Sequence, residues 1–285
     1  MIEEQKFYWK LLDTLKDGVY FADKNRKVTY WNKAAEAITG YKSAEILGKF
    51  CGDNILVHID EEGNNLCTGS CPLACCMEKG ESFERRIFLH HKEGHRVPVL
   101  VRVNPVFGSK DEVIGAVEIF TDLSSREPFL KEIRERDQEA LLDPLTGLPN
   151  KEYLEMSLQL KLIEVKEFNH LFGVFAVTVK GLQEIKAGRG EDTFEEVLKT
   201  LSRTLIHNIN PTDIVGHWRE EVFLGIVCRG DEEKLSQKAR HYGLLLEKSE
   251  LSAIDESLSL SFSVSTAVAQ AGDTVGKLIE KVLET

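Results

Sequence analysis

The sequence lacks a positive charge balance, a long apolar run and an N-terminal signal segment. Its formal net charge is −11, which argues against general nucleic-acid binding and against electrostatic attachment to anionic membranes. The longest apolar stretch, residues 171–179, is far shorter than the ~20 residues of a membrane-spanning helix. No charged segment followed by an apolar one begins the chain. These absences predict a cytoplasmic protein without nucleic-acid or membrane partners.

Cysteine is concentrated in one region. Five of the six cysteines lie between Cys51 and Cys76. In a reducing cytosol, clustered thiols indicate a metal or redox site rather than a disulfide framework. The region around these cysteines is therefore the first candidate for chemistry.

Residues 1–126 carry a pattern of strands and short helices. Residue spacing in this half predicts a helix over 7–15, a hairpin over 18–22 and 28–31, and three further strands over 82–90, 96–106 and 113–121. Asn32 is suited to cap a short helix after the hairpin, and Gly40 is suited to end it. At 285 residues, the chain has room for a second domain with its own core.

This order of two strands, short helices and three strands resembles the PAS family. The segment DGVYFADKNRKVTYWNKAAEAITGYKSAEILGK is similar to the family's N-terminal half, and HHKEGHRVPVLVRVNPVFGSKDEVIGAVEIFTDLSSRE to its C-terminal half. The resemblance implies a sensor or dimerisation module over residues 1–126, with a five-stranded antiparallel sheet that faces a ligand cavity. It does not identify the ligand, because one fold hosts many cofactors.

Residues 51–80 carry the candidate sensing chemistry. Pro72 and Gly80 predict a helix over residues 72–79. The candidate metal ligands are four thiols and one imidazole: Cys51, Cys67, Cys71, Cys75 and His58. Such ligands suit zinc, iron or an iron–sulfur cluster. Because their spacing matches no established metal motif, half-buried thiols with reversible disulfides fit the sequence equally well.

A flavin cofactor is not expected. Cys51 occupies the position of the reactive cysteine in the flavin-binding LOV subfamily of PAS domains, whose motif is GxNCRFLQ. Phe50 and Gly52 replace the asparagine and the arginine that flank this cysteine in the motif. The rest of the motif is absent as well, so the chemistry of that subfamily is not predicted.

Haem is not expected either, although it requires only one well-placed histidine. His90, His91 and His95 flank a charged turn, and we expect them to be solvated. His58 lies between the cysteines and is the one histidine that stays a candidate ligand.

Residues 127–142 are predicted to form a helical linker. Leu130, Ile133 and Ala140 have heptad-like spacing, but Asp137 interrupts the seam. A dimeric signalling helix and a plain helical spacer both fit this pattern.

Residues 143–285 alternate helices and strands. The pattern predicts helices over 151–167, 193–208 and 231–248 and from residue 275, strands over 171–179 and 258–267, and a hairpin over 214–227. A mixed α/β pattern with an antiparallel hairpin is consistent with a ferredoxin-like core.

Two segments of this half resemble the GGDEF family, the diguanylate cyclases. They are DPLTGLPNK at its start and DIVGHWREEVFLGIV at the hairpin. In the family, the hairpin turn carries two glycines, an acid and a glutamate. The resemblance places Arg219 and Glu220 at the glycines, Glu221 at the acid and Val222 at the glutamate.

The metal-binding acids of the family's first strand correspond to Thr178 and Lys180. Phosphoryl transfer from GTP depends on metal ions that bridge phosphates, and a hydroxyl and an ammonium do not replace carboxylates as magnesium ligands. Side chains at the glycine positions also occupy space where the backbone must approach the nucleotide. The resemblance therefore implies an inactive domain without catalytic residues.

Other nucleotide contacts of the family are changed too. Lys186 stands at the guanine-recognising asparagine, whereas Glu195 conserves the charge of the matching aspartate. The RxxD product-inhibition site reads Asn210 to Asp213, so its arginine is missing. The sequence ends at Thr285, before the family's basic phosphate-contacting residues, which is compatible with a truncated domain.

The preferred interpretation is a bacterial cytoplasmic signalling protein. Its PAS domain would sense a ligand, a metal or a redox state, and an inactive GGDEF domain over residues 143–285 would serve for dimerisation or for docking a signalling partner. A homodimer is expected, because PAS domains and GGDEF-linked helices commonly pair. Two alternatives are a receptor that holds GTP or cyclic di-GMP weakly through Lys180 and Arg219, and a diguanylate cyclase of low activity.

Overall fold

The computed structural model separates the chain into two units, Met1–Ser124 and Ser125–Thr285. It describes residues 8–53, 55–124, 141–168, 170–210, 212–228, 232–252, 254–255 and 258–283. Of the predicted linker helix over residues 127–142, residues 127–140 lie outside the described residues. Across the described ranges, no helix combines the length and the apolar character needed to cross a bilayer.

Five antiparallel strands form the sheet of the first unit. They are β1 (Gly18–Asp23), β2 (Val28–Trp31), β3 (Phe83–His90), β4 (Arg96–Phe107) and β5 (Val113–Asp122). Their order across the sheet is β2-β1-β5-β4-β3, so the first and last strands pair side by side. In that pairing Tyr20 lies opposite Glu118. The sheet confirms the fold expected from the PAS resemblance.

Short helices connect β2 to β3 and cover the apolar face of this sheet. They are α1 (Lys33–Thr39), α2 (Ser43–Ile46) and α3 (Pro72–Lys79), with a 3-10 turn at Leu66–Thr68. Asn32 caps α1 by accepting a hydrogen bond from the Ala35 backbone N–H, and Gly40 ends it at φ 78°, as predicted. The bounds of α3 are also those predicted, with Gly80 beyond its end at φ 69°. Residues 8–12 are helical, within the predicted range 7–15.

A four-stranded antiparallel sheet forms the second unit. Its strands are β6 (Phe172–Lys180), β7 (Ile214–Arg219), β8 (Val222–Cys228) and β9 (Ser261–Val268), in the order β7-β8-β6-β9. Central β6 is buried on both faces: Phe175 and Val177 belong to one apolar cluster, and Val174 and Ala176 to the other. A strand covered on both faces reads as an unbroken apolar run, which is why β6 is the most apolar stretch of the sequence.

Helices cover both faces of this second sheet. They are α4 (Lys151–Phe168), α5 (Leu182–Arg189), α6 (Glu191–Asn208), α7 (Glu232–Glu247) and α8 (Val275–Leu283). Side chains of α5, α6 and α7 fill one cluster, and those of α4 and α8 fill the other. This confirms the predicted mixed α/β core. The sequence did not predict α5, because this short helix buries only Leu182 and Ile185 and lies between Gly181 and Gly190.

The loop that opens the second unit is bonded to strand β7. The backbone N–H of His217 donates to the Pro149 carbonyl at 2.8 Å, and His217 Nδ1 lies 3.3 Å from Asp143 Oδ2. Asp143 Oδ1 accepts from both the backbone N–H and the hydroxyl of Thr146 at 2.8 Å. Burial raises the pKa of Asp143, but these hydrogen bonds and His217 outweigh it, so the pKa lies below its usual value.

This close approach depends on Gly216. A Cβ atom at Gly216 would lie 2.4 Å from the Pro149 carbonyl oxygen, a backbone atom that cannot swing aside. We therefore expect Gly216→Ala to lower the free energy of unfolding by about 1–3 kcal/mol through overpacking. Urea denaturation that follows the unfolding transition of the second unit measures this change.

A matched control is Gly188→Ala in α5, where a new Cβ would meet nothing within 4 Å. It should leave stability unchanged or raise it by about 0.5–1 kcal/mol through helix propensity. Equal effects of the two substitutions would show that the contact with Pro149 is not tight.

Candidate functional site

The predicted nucleotide-binding positions meet at one end of the second sheet. Thr178 on β6 lies opposite Val222 on β8, and Val222 lies opposite Arg219 on β7. Lys180 is the last residue of β6. Three neighbouring strands thus bring the positions predicted from sequence to the same end of the sheet.

The side chain of Val222 belongs to the apolar interior rather than to the exposed end of the sheet. Its side chain is 1% exposed and lies in the same cluster as Leu154 and Trp218. The neighbouring Glu221 is half-buried, and its carbonyl oxygen accepts a hydrogen bond from the Val179 backbone N–H at 2.7 Å. A side chain at position 222 therefore faces the core.

Glu220 reaches from the turn to α5. Gln183 donates a hydrogen bond to its Oε2, and Lys186 Nζ lies 3.6 Å from its Oε1. Lys186 Nζ also lies 3.0 Å from Glu191 and 4.8 Å from the ring centre of Phe194. The hydrogen bond with Glu191, and then the charge of Glu220, raise the pKa of Lys186. The residue at the guanine-recognition position thus contacts the protein's own acids.

Among the predicted positions at this end of the sheet, only those of the turn carry carboxylates. Glu220 and Glu221 are adjacent there, while Thr178 and Lys180 at the end of β6 present a hydroxyl and an ammonium. A magnesium clamp needs several well-placed oxygen ligands. Lys180 and Arg219 are both exposed at this end, so two positive side chains stand beside the two adjacent acids.

Asp213, the acid of the predicted product-site motif, lies in a buried ion pair. It is 1% exposed, and Lys238 Nζ lies 2.8 and 2.6 Å from its two carboxylate oxygens. Burial raises the pKa of Asp213, and Lys238 only partly offsets that rise. In this arrangement the carboxylate holds α7 to the start of β7.

In the first unit, Arg26 joins two of the predicted thiol positions. Arg26 Nη2 donates to Cys71 Sγ at 3.3 Å, and the Cys51 backbone N–H donates to the Arg26 carbonyl at 2.9 Å. Burial raises the pKa of Cys51 and of Cys67 to about 11. Cys75, on α3, is half-buried, and none of these four cysteines forms a disulfide.

Two buried ionisable residues lie in the same interior. His58 is 4% exposed and Glu118 is 1% exposed, and His58 Nε2 lies 3.4 Å from Glu118 Oε1. Tyr20 donates its hydroxyl to Glu118 Oε2 at 2.9 Å. Burial raises the pKa of Glu118 to about 8. Burial, assisted by the charge of Arg96, lowers the pKa of His58 to about 4. Burial therefore favours the neutral form of both groups.

Sequence reasoning found His58 but missed Arg26, Tyr20 and Glu118. The signal for Glu118 was present in the alternation of β5, where Ala116 and Phe120 face the core with Glu118 between them. An acid at an inward position of a strand is a recognisable sign of a buried polar site. No comparable local signal marks Arg26, whose contacts arise from the tertiary fold.

The metal site predicted at Cys51, Cys67, Cys71, Cys75 and His58 stays a prediction. Over the described ranges, one group of three ligand atoms lies within 4.8 Å of one another, and it consists of His91, Glu93 and His95. The predicted cysteine ligands do not form such a group in this structure, although Cys71 Sγ accepts a hydrogen bond from Arg26.

The expectation that His90, His91 and His95 are solvated was wrong. His90 is 6% exposed and His95 is 2% exposed, and the rings of His91 and His95 stack with centroids 4.1 Å apart. The charged turn between them packs against the end of α1, where the Lys92 backbone N–H donates to the Thr39 carbonyl at 2.9 Å. This packing buries His90 and His95, although the charged residues around them had predicted exposure.

The ion pair of Asp213 and Lys238 can be tested by substitution. We expect Lys238→Met to lower the free energy of unfolding by about 2 kcal/mol, because it leaves a buried carboxylate without its cation. The penalty should shrink as the pH falls from about 7 toward about 4, since protonation removes the uncompensated charge. Chemical denaturation across that range measures it. The double variant Asp213→Asn with Lys238→Met should be more stable at neutral pH than Lys238→Met alone, and the opposite order would contradict the assignment.

Comparison with known proteins identifies both units. The family model of the diguanylate cyclase GGDEF domain matches residues 140–284, and that of a PAS domain matches residues 16–125. Diguanylate cyclase DosC of Shigella sonnei is 23% identical over 140 residues, which cover 49% of this chain and 30% of DosC. The probable diguanylate cyclase DgcE of Escherichia coli is 19% identical over 218 residues, which cover 75% of this chain and 19% of DgcE.

A solved PAS domain of a Colwellia psychrerythraea protein is 24% identical with a TM-score of 0.36, and the match covers 43% of this chain and 98% of that domain. The chain spans less than a third of the length of either curated relative. Because the GGDEF match spans half of the chain, the chain belongs to the GGDEF family and carries a PAS domain before its GGDEF domain.

Proposed function

We propose that this chain is a signalling protein whose GGDEF domain does not synthesise cyclic di-GMP and instead serves as a dimerisation or docking element controlled by the PAS domain. The observation that carries this proposal is the residue set at the end of the second sheet. Thr178 and Lys180 end β6 there, and Glu220 of the turn is engaged by Gln183 and Lys186.

The physical argument concerns charge. Transfer of a nucleotidyl group from GTP requires metal ions that offset the charge on the phosphates. An ammonium at Lys180 repels a divalent cation, and adjacent acids in one turn offer ligands from one direction only. Membership of a family of cyclases favours catalysis, but these substitutions affect both elements that would hold the metal. Their combined effect supports a non-catalytic domain.

An exposed apolar row supports a role in protein contact. Met156, Leu160 and Ile163 on α4 are 45%, 62% and 55% exposed, and their spacing of four and three residues places them on one helix face. Apolar faces of this kind mark interaction surfaces. We assign this face to contact with a second copy of the chain.

A nucleotide receptor is the second candidate function. Lys180 and Arg219 are exposed at the same end of the sheet, where they could pair with the phosphates of GTP or cyclic di-GMP. Glu220, the neighbour of Arg219 in the turn, opposes this function, because its negative charge repels an anionic ligand.

The decisive experiment is a product assay. We expect the purified chain, incubated with GTP and magnesium, to form no cyclic di-GMP detectable by chromatography. Calorimetry with GTP and with cyclic di-GMP should show no binding, whereas binding without turnover would establish the receptor function instead. Formation of product at a rate proportional to protein concentration would overturn the proposal.

A matched variant separates the turn from the strand. Arg219→Gly with Glu220→Gly restores the two glycines of the family turn but leaves Thr178 and Lys180 in place. It should stay inactive, because the acids of β6 are still missing. If it became active, the strand positions would not be the limiting defect.

The assignment of the α4 face has its own test. Leu160→Glu with Ile163→Glu should shift the chain from dimer to monomer in sedimentation velocity at micromolar concentration, because charges would be buried in the interface. Lys151→Glu, an exposed position five residues before Met156 on the same helix, adds the negative charge away from the face of the row and should leave the dimer intact. A dimer that persists in the first variant would exclude this face as the interface.

A further inference from the structure

The PAS interior combines three thiols with two polar atoms that have no hydrogen-bond partner. Among the described residues, His58 Nε2 and Glu118 Oε1 are buried without such a partner, although they lie 3.4 Å apart. Buried polar atoms nearly always have partners in folded proteins. Two unpartnered atoms side by side are therefore a sign that this interior is built to hold a ligand.

The separation of these two atoms suits a metal ion. Donors about 2.0–2.1 Å from a tetrahedral zinc ion lie about 3.3 Å from each other. The distance of 3.4 Å between His58 Nε2 and Glu118 Oε1 is close to that value. An ion seated between them would give each atom a partner at once.

The backbone brings thiols into the neighbourhood of this pair. The Leu66 backbone N–H, next to Cys67, donates to the His58 carbonyl at 2.9 Å. The Cys51 backbone N–H donates to the carbonyl of Arg26 at 2.9 Å, and the Arg26 guanidinium donates to Cys71 Sγ at 3.3 Å. The sulfur atoms are not yet close enough to His58 and Glu118 to form a group within 4.8 Å. Coordination by these thiols therefore requires their side chains to turn toward His58 and Glu118.

We propose that the PAS domain binds one thiophilic divalent ion, of the zinc class, through His58 Nε2, Glu118 Oε1 and two of the thiols of Cys51, Cys67 and Cys71. Thiolate and imidazole ligands select zinc over magnesium or calcium. This assignment deepens the sensor half of the proposed function and does not depend on the activity of the GGDEF domain. Cys75 is outside the ligand set.

Neighbouring groups fit the requirements of such a site. Tyr20 donates to Glu118 Oε2 and so orients the carboxyl group, as residues behind metal ligands commonly do. Two thiolates and one carboxylate carry one negative charge more than the ion offsets, and the Arg26 guanidinium supplies the balancing positive charge. The site is thereby neutral as a whole, which burial favours.

The test measures metal content and coordination in the full chain. Protein purified anaerobically under reduction, stripped with a chelator and reloaded, should bind one zinc ion per chain by elemental analysis. The cobalt-substituted protein should show thiolate-to-metal charge-transfer bands together with the intense visible bands of a tetrahedral ion. Iron with acid-labile sulfide, or cobalt bands without thiolate charge transfer, would overturn the proposal.

Variants identify the ligands. His58→Ala, Glu118→Gln and at least two of Cys51→Ser, Cys67→Ser and Cys71→Ser should weaken zinc binding by about tenfold or more. Cys75→Ser and His91→Ala should bind like the unmodified chain, and they control for the neighbouring thiol and for the His91–Glu93–His95 group. Loss of binding in either control, or retention in Glu118→Gln and His58→Ala, would refute this ligand set.

Variants that do not fold do not decide the matter, since the cobalt spectrum of the unmodified chain tests the coordination by itself. Zinc binding without cyclase activity supports both proposals. Absence of zinc binding in a chain that also makes no cyclic di-GMP would overturn the metal site alone, so the two proposals can fail separately.

Discussion

The antiparallel register between β6 and β8 determines which side chains can meet at the end of the second sheet. Side chains alternate along a strand, so a slip of one residue would exchange the buried and exposed sets of either strand. Val222 and Phe223 are 1% and 0% exposed and lie in clusters on opposite faces of the sheet. They hold the register from both sides. The turn at Arg219 and Glu220 takes no part in that burial, so its residues can change while the strands stay paired.

The first strand of each domain occupies a central position in its sheet. Strand β1 pairs with β2 and β5, and β6 pairs with β8 and β9. Side chains on these strands are held by neighbours on two sides, which fixes Tyr20 against Glu118 in one domain and Thr178 beside Val222 in the other. Central strands give the most rigid support a sheet can offer. Tyr20 and Thr178, one residue of each candidate site, stand on that support.

Periodicity predicted most strands and helices, because burial of a face repeats every two or about four residues in the sequence. Caps at Asn32, Pro72 and Gly80 even located helix ends. Helix α5 was not predicted, because two buried residues are too few to show a helical period. The cluster around Cys51 was visible as a composition bias. Its partner Arg26 was not, because that contact joins distant parts of the chain through the tertiary fold.

The burial of His90 and His95 shows a second limit of prediction from sequence, which is that local composition does not determine exposure. Local charge at Lys92 and Glu93 predicted exposure, but the turn packs against another element, and packing overrides composition. The same limit applies to the end of the second sheet. A family resemblance aligned Glu220 with a glycine, yet only the fold shows that its side chain reaches Gln183 and Lys186.

The bond between Pro149 and His217 has a mechanical consequence. It ties the opening loop of the GGDEF domain to β7 only two residues before Arg219, and Asp143 adds a second tie at the same histidine. These two contacts couple the entry loop to the strand that carries the turn by a path that does not pass through the apolar core. A force on the loop would therefore act first on β7 and on the turn that follows it.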